Sequence, residues 1–294
     1  MPGLKNFYKI DQNTPVLIAG QTASGKSQLA LEIAESNGGI IINADAIQVY
    51  KNWKILTARP SGVDEAKIKH KLYGHIDGAK NYSVGTWIKE VNEILSSNSR
   101  PIIVGGTGLY FSVLTSGLVD IPEISEAIRL EANDRIKKNG FESLVGEIDQ
   151  ETVTKIDKNN PMRVQRAWEV LRSTGRSLNS WHQETPKPTL DLSICKAILV
   201  DGEVSLINNR ILQRFDQMIE KGLIQEAENN LATWSTLHPS SKAIGAHELI
   251  AYLNNEISME QLREQIVIAT RQYAKRQRTW FRTKMQSWER YSIK

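Results

Sequence analysis

Eight residues, Gly20-Gln-Thr-Ala-Ser-Gly-Lys-Ser27, set two glycines, a lysine and a hydroxyl in the order G-x-x-x-x-G-K-[ST]. Glycines at this spacing let the backbone fold back so that successive N–H groups converge, a nest that suits the oxygens of a diphosphate or triphosphate. Gly20, Thr22, Ala23, Ser24 and Gly25 form that nest. Lys26 reaches the outer phosphates, and the Ser27 hydroxyl is the expected ligand of Mg²⁺. A helix starting near Lys26 adds its positive N-terminal end. The motif holds a phosphate and leaves open what becomes of it.

The elements around the loop fit this use. The run Pro15–Ala19 reads as a strand, and residues 28–36 read as a helix with Leu29, Ile33 and Ser36 at helical spacing. Gly39-Ile-Ile-Ile-Asn-Ala-Asp45 reads as a strand buried on both faces of a parallel sheet, with Asp45 at its carboxyl end. A third run, Pro101–Val104, follows a helical segment over 86–97 and ends in Gly105-Gly-Thr-Gly-Leu-Tyr110. Ligands of open α/β sheets sit outside the carboxyl ends of strands, so the loop, Asp45 and Thr107 are expected in one cleft. His70 and His75, five residues apart with no third ligand near, fit hydrogen-bonded or exposed roles better than a metal site.

From about Asp120 to Thr189 charged helical patterns replace buried strands. Helices are expected over 122–138, 141–148 and 161–173, with Pro122 and Pro161 in first turns and Val164, Ala167, Trp168 and Leu171 inward. Lys196–Val200 reads as a fourth strand. Residues 206–221 then form a helix with Ile207, Ile211, Phe215 and Met218 inward, stopped by Gly222. Arg214 borders that stripe and either reaches into a cleft or extends to solvent. A last helix over 259–288 sets Leu262, Ile266, Ala269, Tyr273 and Trp280 on one line, with Arg271, Lys275, Arg278 and Arg282 opposite and Arg276 near the apolar edge. Over residues 263–294, nine Lys or Arg (263, 271, 275, 276, 278, 282, 284, 290 and 294) stand against two Glu (264 and 289), a one-sign ridge that points to nucleic acid rather than to a solvated face.

The 294 residues are 40% hydrophobic and 24% charged, enough for a sizeable core, and the net charge of +4 leaves the distribution of charge to decide its use. One cysteine, Cys195, excludes an internal disulfide framework. No stretch approaches the ~18 apolar residues of a membrane span, so a cytoplasmic protein without membrane contact is expected.

In these segments the chain resembles the tRNA dimethylallyltransferases, nearly end to end. The carrying stretches are Gly20–Ser27, Asn43-Ala-Asp-Ala-Ile-Gln-Val-Tyr50, Thr57-Ala-Arg-Pro60, Val104–Phe111, Arg163–Val170, Arg210–Phe215 and Ala269–Arg282. The resemblance implies an α/β fold: a P-loop parallel-sheet core over 1–119, a helical insertion gripping tRNA over 120–195, and the core resumed over 196–294 with a C-terminal basic helix. It implies transfer of a dimethylallyl group from its diphosphate to the exocyclic amine of the adenosine 3′ of the anticodon, by a monomer whose partner is the tRNA anticodon stem-loop. Asp45 then matches the general base, Arg214 and Lys26 the groups at the diphosphate, and Thr107 a tRNA contact. The stretches Asp45-Ala46-Ile47-Gln48, Met162-Arg163-Val164-Gln165-Arg166, Lys242 to His247 through Gly245, and Lys275-Arg276-Gln277-Arg278 to Arg282 match tRNA-lining segments, as does Arg129.

The chain departs from the family pattern at Gln21, where proline is usual after the glycine, at Ala46, where serine is common, and at Ala246, where tyrosine is frequent. A contact made by that tyrosine is lost or passed to His247. Two rival readings stand beside the transferase. One is a P-loop kinase or NTPase acting on an RNA-linked substrate, with Val200-Asp201 as a Walker B element; the other is a tRNA-binding protein without activity.

Overall fold

The computed structural model describes residues 10–97 and 99–293. Strand β1 (Val16–Gly20) leads through the phosphate loop into α1 (Lys26–Asn37), and β2 (Ile40–Asn43) follows. After α2 (Gly62–Lys67) come β3 (His70–Lys71), α3 (Val84–Leu95), β4 (Pro101–Gly105) and α4 (Gly108–Ser116). Helices α5 (Glu126–Asn139), α6 (Gln150–Lys155), α7 (Pro161–Thr174) and α8 (Leu178–His182) then precede β5 (Lys196–Gly202) and α9 (Val204–Glu220). The chain finishes with α10 (Leu223–Leu231), α11 (Ala246–Leu253), α12 (Met259–Lys284) and β6 (Glu289–Ile293).

All six strands are parallel, in the order β3-β2-β4-β1-β5-β6. The apolar runs that read as strands in the sequence are the central four, and each is buried on both faces because side chains alternate across a sheet. Val16 and Ile18 of β1 pack with Leu29, Ile33 and Ala34 of α1, whereas Leu17 and Ala19 pack opposite with Trp87, Phe111, Phe281 and Trp288. The two edge strands were not expected. β3 is two residues long, and β6 follows the stretch that reads as a continuous helix over 259–288; α12 stops at Lys284 instead.

The chain divides into two compact units, 1–115 with 189–294, and Ser116–Pro188. The second unit is narrower than the expected 120–195 at its end. Residues 190–195 belong with the sheet, since Leu190 N–H donates to Leu114 O and Leu190, Leu192 and Cys195 pack on its core. The second unit has its own core of Leu144, Val164, Ala167, Trp168 and Val170. Pro161 occupies the first turn of α7 as expected, but Pro122 precedes its helix: α5 begins at Glu126, capped by Ser125. Residues 141–147 form a 3-10 helix rather than an α-helix.

In the first unit α9 buries Ile207, Ile211, Phe215 and Met218, the four inward residues its spacing predicts. They join Trp53, Leu56, Leu223, Leu249, Leu262 and Ile266 in a helical core beside the sheet. No described helix is long and apolar enough to cross a membrane.

Candidate active site

The loop between β1 and α1 is shaped by contacts that only small residues allow. A Cβ on Gly20 would stand 2.7 Å from both Ser24 Oγ and Val200 O, and Gly25 sits at φ 82, in the left-handed region. Ala23 shares that region at φ 61. α1 starts with no side-chain cap and no acidic residue in its first turn, so its first N–H groups and its positive end face the loop unopposed. The Ser24 hydroxyl is buried without a hydrogen-bond partner among the described residues.

Lys26 folds back over the loop, its Nζ donating to Gln21 O at 3.3 Å. Burial lowers its pKa from 10.5 to about 8, against the pull of Asp45 and with a further push from Arg214. Arg214 reaches inward from α9, which settles the alternative its spacing left open: Nη1 donates to Thr22 Oγ1 at 3.3 Å and Nη2 to Thr57 O at 3.4 Å. Burial depresses this guanidinium too, and Asp45 opposes the shift.

Asp45 stands just past β2. Asn43 clamps its backbone, accepting the Asp45 N–H at Oδ1 (2.9 Å) and donating to Asp45 O from Nδ2 (2.9 Å), while Trp87 Nε1 donates to Asn43 O at 2.7 Å. The Asp45 carboxylate is used asymmetrically. Oδ1 accepts the N–H groups of Ile47 (3.0 Å) and Gln48 (3.4 Å), and among the described residues Oδ2 makes no hydrogen bond. One oxygen is therefore fixed and the other is available to a ligand.

Thr22, Lys26, Asp45 and Arg214 face one cavity of about 280 Å³, whose remaining wall includes Ile47, Gln48, Leu56, Phe215, Ile266 and Tyr273. A second cavity adjoins the loop from the side of Ser27. Lys26, Lys54, Arg59, Arg210, Arg214 and Lys221 line it, with no carboxylate among the lining residues. Lys26 and Arg214 face both spaces.

The wall near Leu56 and Thr57 is held from outside. The Glu226 carboxylate accepts three successive N–H groups, those of Lys54 (2.7 Å), Ile55 (2.7 Å) and Leu56 (2.9 Å), and Gln48 Nε2 donates to Thr57 O at 2.8 Å. Glu226 has no motif around it, and nothing in its sequence context singles it out. The glycines after β4 likewise acquire reasons: a Cβ on Gly105 would lie 2.0 Å from Ala44 O, one on Gly106 2.2 Å from Gln277 Nε2, and one on Gly108 2.2 Å from Trp280. They seat β2 and α12 against this turn.

The remaining candidate residues divide by exposure. Lys242 and Arg276 are exposed and line the main cavity, so the position of Arg276 at the apolar edge of its helix is a position on the cleft. Thr107 lies beside the cavity residues with its Oγ1 accepting the Ala46 N–H at 3.0 Å. His247 is exposed, its ring edge-on to Trp234 at 5.1 Å. Ala246 is wholly buried, leaving no side chain where the family pattern often has tyrosine.

Two expected contact residues present no side chain to a partner: Val164 is buried, and Gly245 packs under Ile266 and Leu56; Gln277 is buried but lines the main cavity. In the second unit Arg129, Met162, Arg163 and Arg166 are exposed on α5 and α7, and Gln165 is half-buried, donating to Asn133 and Glu169.

The terminal ridge is narrower than its wheel predicts. α12 buries Leu262, Ile266, Val267, Ala274, Gln277 and Phe281, with Tyr273 and Trp280 only partly covered. Of the four cations expected opposite, Lys275 and Arg282 are exposed, but Arg271 and Arg278 are half-buried. Packing against the sheet ends and α9 turns the helix toward the 266–267–274 side, so Arg278 faces Gln21, where Nη1 donates to Oε1 at 3.5 Å. Asp201, the candidate Walker B aspartate, is turned to protein: Oδ1 accepts from Gly202 N–H and Gln21 Nε2, and Oδ2 is 3.8 Å from Arg290. His70 donates from Nδ1 to Ile68 O, and His75 pairs with Glu90 at 3.1 Å.

A family model described as IPP transferase matches residues 48–284, and one described as isopentenyl transferase matches residues 14–75. A protein of Ruegeria sp. (strain TM1040), named tRNA dimethylallyltransferase, is 50% identical over 284 residues, covering 97% of this chain and 97% of its own length. The crystal structure of the full-length tRNA isopentenylpyrophosphate transferase of Bacillus halodurans aligns with a TM-score of 0.66 at 30% identity, over 95% of this chain and 90% of that one. A eukaryotic dimethylallyltransferase, captured in crystallographic snapshots acting on tRNA, aligns with a TM-score of 0.79 at 25% identity, over 95% of this chain and 73% of that one.

Proposed function

This chain belongs to the IPP transferase family, and we propose that it transfers a dimethylallyl group from dimethylallyl diphosphate to the exocyclic amine of the adenosine 3′ of a tRNA anticodon, releasing diphosphate. The observation that carries this reading is the shared cavity: a phosphate loop with its lysine and Arg214 meets a carboxylate with one free oxygen. The loop by itself would serve phosphoryl transfer as readily. A carboxylate facing the same space suits a reaction in which a neutral amine must lose a proton.

In that reaction the amine nitrogen bonds to the allylic carbon as the carbon–oxygen bond to the diphosphate breaks. The electron pair of the breaking bond leaves with the diphosphate, and one N–H proton passes to Asp45 Oδ2. An adenine amine is a weak nucleophile, since its lone pair is delocalised, and a positioned base contributes about 10²–10⁴-fold. The loop amides of Thr22 to Ser27, Lys26 and Arg214 stabilise the charge gathering on the leaving group. Burial lowers the Lys26 pKa to about 8, and an arriving diphosphate stabilises its charged form.

The second cavity, lined by cations and no carboxylate, offers Mg²⁺ the Ser27 hydroxyl, so its other ligands would be diphosphate oxygens and water. When bound there, Mg²⁺ neutralises diphosphate charge.

For tRNA, the reading assigns phosphate and loop contacts to Lys242, Lys275, Arg276 and Arg282 on the first unit and to Arg129, Met162, Arg163 and Arg166 on the second. The protein acts as a cytoplasmic monomer in this reading. Purified protein should move label from dimethylallyl diphosphate into unmodified tRNA; hydrolysis of a nucleoside triphosphate without such transfer would overturn the proposal.

A further inference from the structure

Gln277, on α12, joins two loops of the site. It is 6% exposed, and both ends of its amide are occupied by backbone: Oε1 accepts the Thr22 N–H at 2.8 Å, inside the phosphate loop, and Nε2 donates to Gly106 O at 2.9 Å, in the turn after β4. That turn also touches the carboxylate, for a Cβ on Gly106 would lie 3.5 Å from Asp45 Oδ2. Thr107 receives the Ala46 N–H beside Asp45. Hydrogen bonds thus run from the phosphate loop through Gln277 to the turn after β4, and from Thr107 of that turn to the backbone beside Asp45.

We propose that Gln277 is a positioning residue: it locks the phosphate loop to the turn after β4 and thereby sets the separation between the diphosphate and the Asp45 carboxylate. Both polar atoms of its amide are engaged by backbone, although it lies within a stretch that otherwise presents cations. The two loops need such a tie, since they leave different strands: the loop after β1 holds the diphosphate, and the turn after β4 abuts Asp45 at the end of β2. Gly106 is glycine so that the amide can reach its carbonyl. Its φ is not in the left-handed region, so that residue has a steric rather than a conformational reason to lack a side chain.

This inference rests on the transferase reading of the site. It is tested with two variants. Gln277→Met keeps the volume and removes both bonds. Gly106→Ala leaves α12 intact but places a methyl 2.2 Å from Nε2, expelling the amide. Single-turnover transfer is measured with both substrates saturating, together with the dissociation constants for diphosphate and tRNA, the salt dependence of tRNA binding and the melting temperature.

Misplacement of reacting groups by about 1 Å costs on the order of 10²-fold, so both variants should lose about that much in saturated rate, with both dissociation constants within about threefold of the parent and an unchanged salt slope. If Gln277→Met does not fold, Gly106→Ala decides. A saturated rate within about threefold of the parent, below both melting temperatures, overturns the inference. A weakened tRNA affinity with full rate at saturation also overturns it, and makes Gln277 an RNA contact. A parent that transfers no label would overturn the reading of the site and this inference with it, whereas an active parent beside equally active variants overturns the inference alone.

Discussion

Replacing Asp45 by asparagine and by alanine separates two duties of one carboxylate. Asparagine keeps an oxygen to accept the Ile47 and Gln48 N–H groups at 3.0 and 3.4 Å, and it loses only the capacity to take a proton at the second position. Removing a general base costs about 10²–10⁴-fold, or about 2.7–5.5 kcal/mol at 1.36 kcal/mol per decade, so Asp45→Asn should lose at least ~10²-fold in kcat. Its melting temperature should stay close to that of the parent. Alanine strands the two N–H groups as well. At about 0.5–1.5 kcal/mol for each hydrogen bond, Asp45→Ala should give up a further 1–3 kcal/mol, roughly, of stability. Both variants should bind tRNA with nearly parental affinity, because a base acts in the transition state. Label transfer at saturating substrates, a tRNA titration and a thermal melt on each variant supply the readouts. Activity of Asp45→Asn within a few-fold of the parent would remove Asp45 from the chemistry, however unstable Asp45→Ala proved to be.

Three other outcomes follow from the same geometry. Lys26 has a folded pKa near 8 against 10.5 unfolded, so holding it charged opposes folding below pH 8, and the opposition fades as pH rises from 8 toward 10.5. Lys26→Met should therefore raise the melting temperature at pH 7 and lose that advantage by pH 10; diphosphate affinity, weaker in the variant, should fall in the parent as pH rises past 8, with proton uptake on binding visible by calorimetry in buffers of different ionisation enthalpy. Removing the exposed pair by Lys275→Gln with Arg282→Gln should flatten the slope of log tRNA affinity against log salt by close to two units, and an unchanged slope would take the RNA away from this face. Glu226→Ala leaves three N–H groups at residues 54–56 without their acceptor and should lower stability by about 1–3 kcal/mol in urea unfolding; a loss below about 0.5 kcal/mol would show that water replaces the carboxylate there.

Local signals in the sequence were enough for the phosphate loop, the four central strands and the inward face of α9. Each depends on neighbours within a few residues: glycines at fixed offsets, β-branched runs long enough for a sheet buried on both sides, or a 3.6-residue period. Strand ends follow from the same signals, which is why Asp45 and Thr107 could be expected near the loop before any strand order was known. What needed the tertiary structure was whatever depends on distant partners. Two-residue β3 and five-residue β6 lack a pattern of their own and exist because β2 and β5 offer edges to pair with. The wheel of α12 gave a ridge of four cations, but a wheel does not know which neighbour lies where. Packing half-buried Arg271 and Arg278 and turned Gln277 toward Thr22 and Gly106, 255 and 171 residues away. Arg214 stood undecided between solvent and cleft until Thr22 and Thr57 supplied its acceptors. Glu226 shows the limit most plainly: an ordinary glutamate in an amphipathic helix, it shapes the cavity wall only because the fold lays three unpaired N–H groups, 170 to 172 residues distant, across its carboxylate.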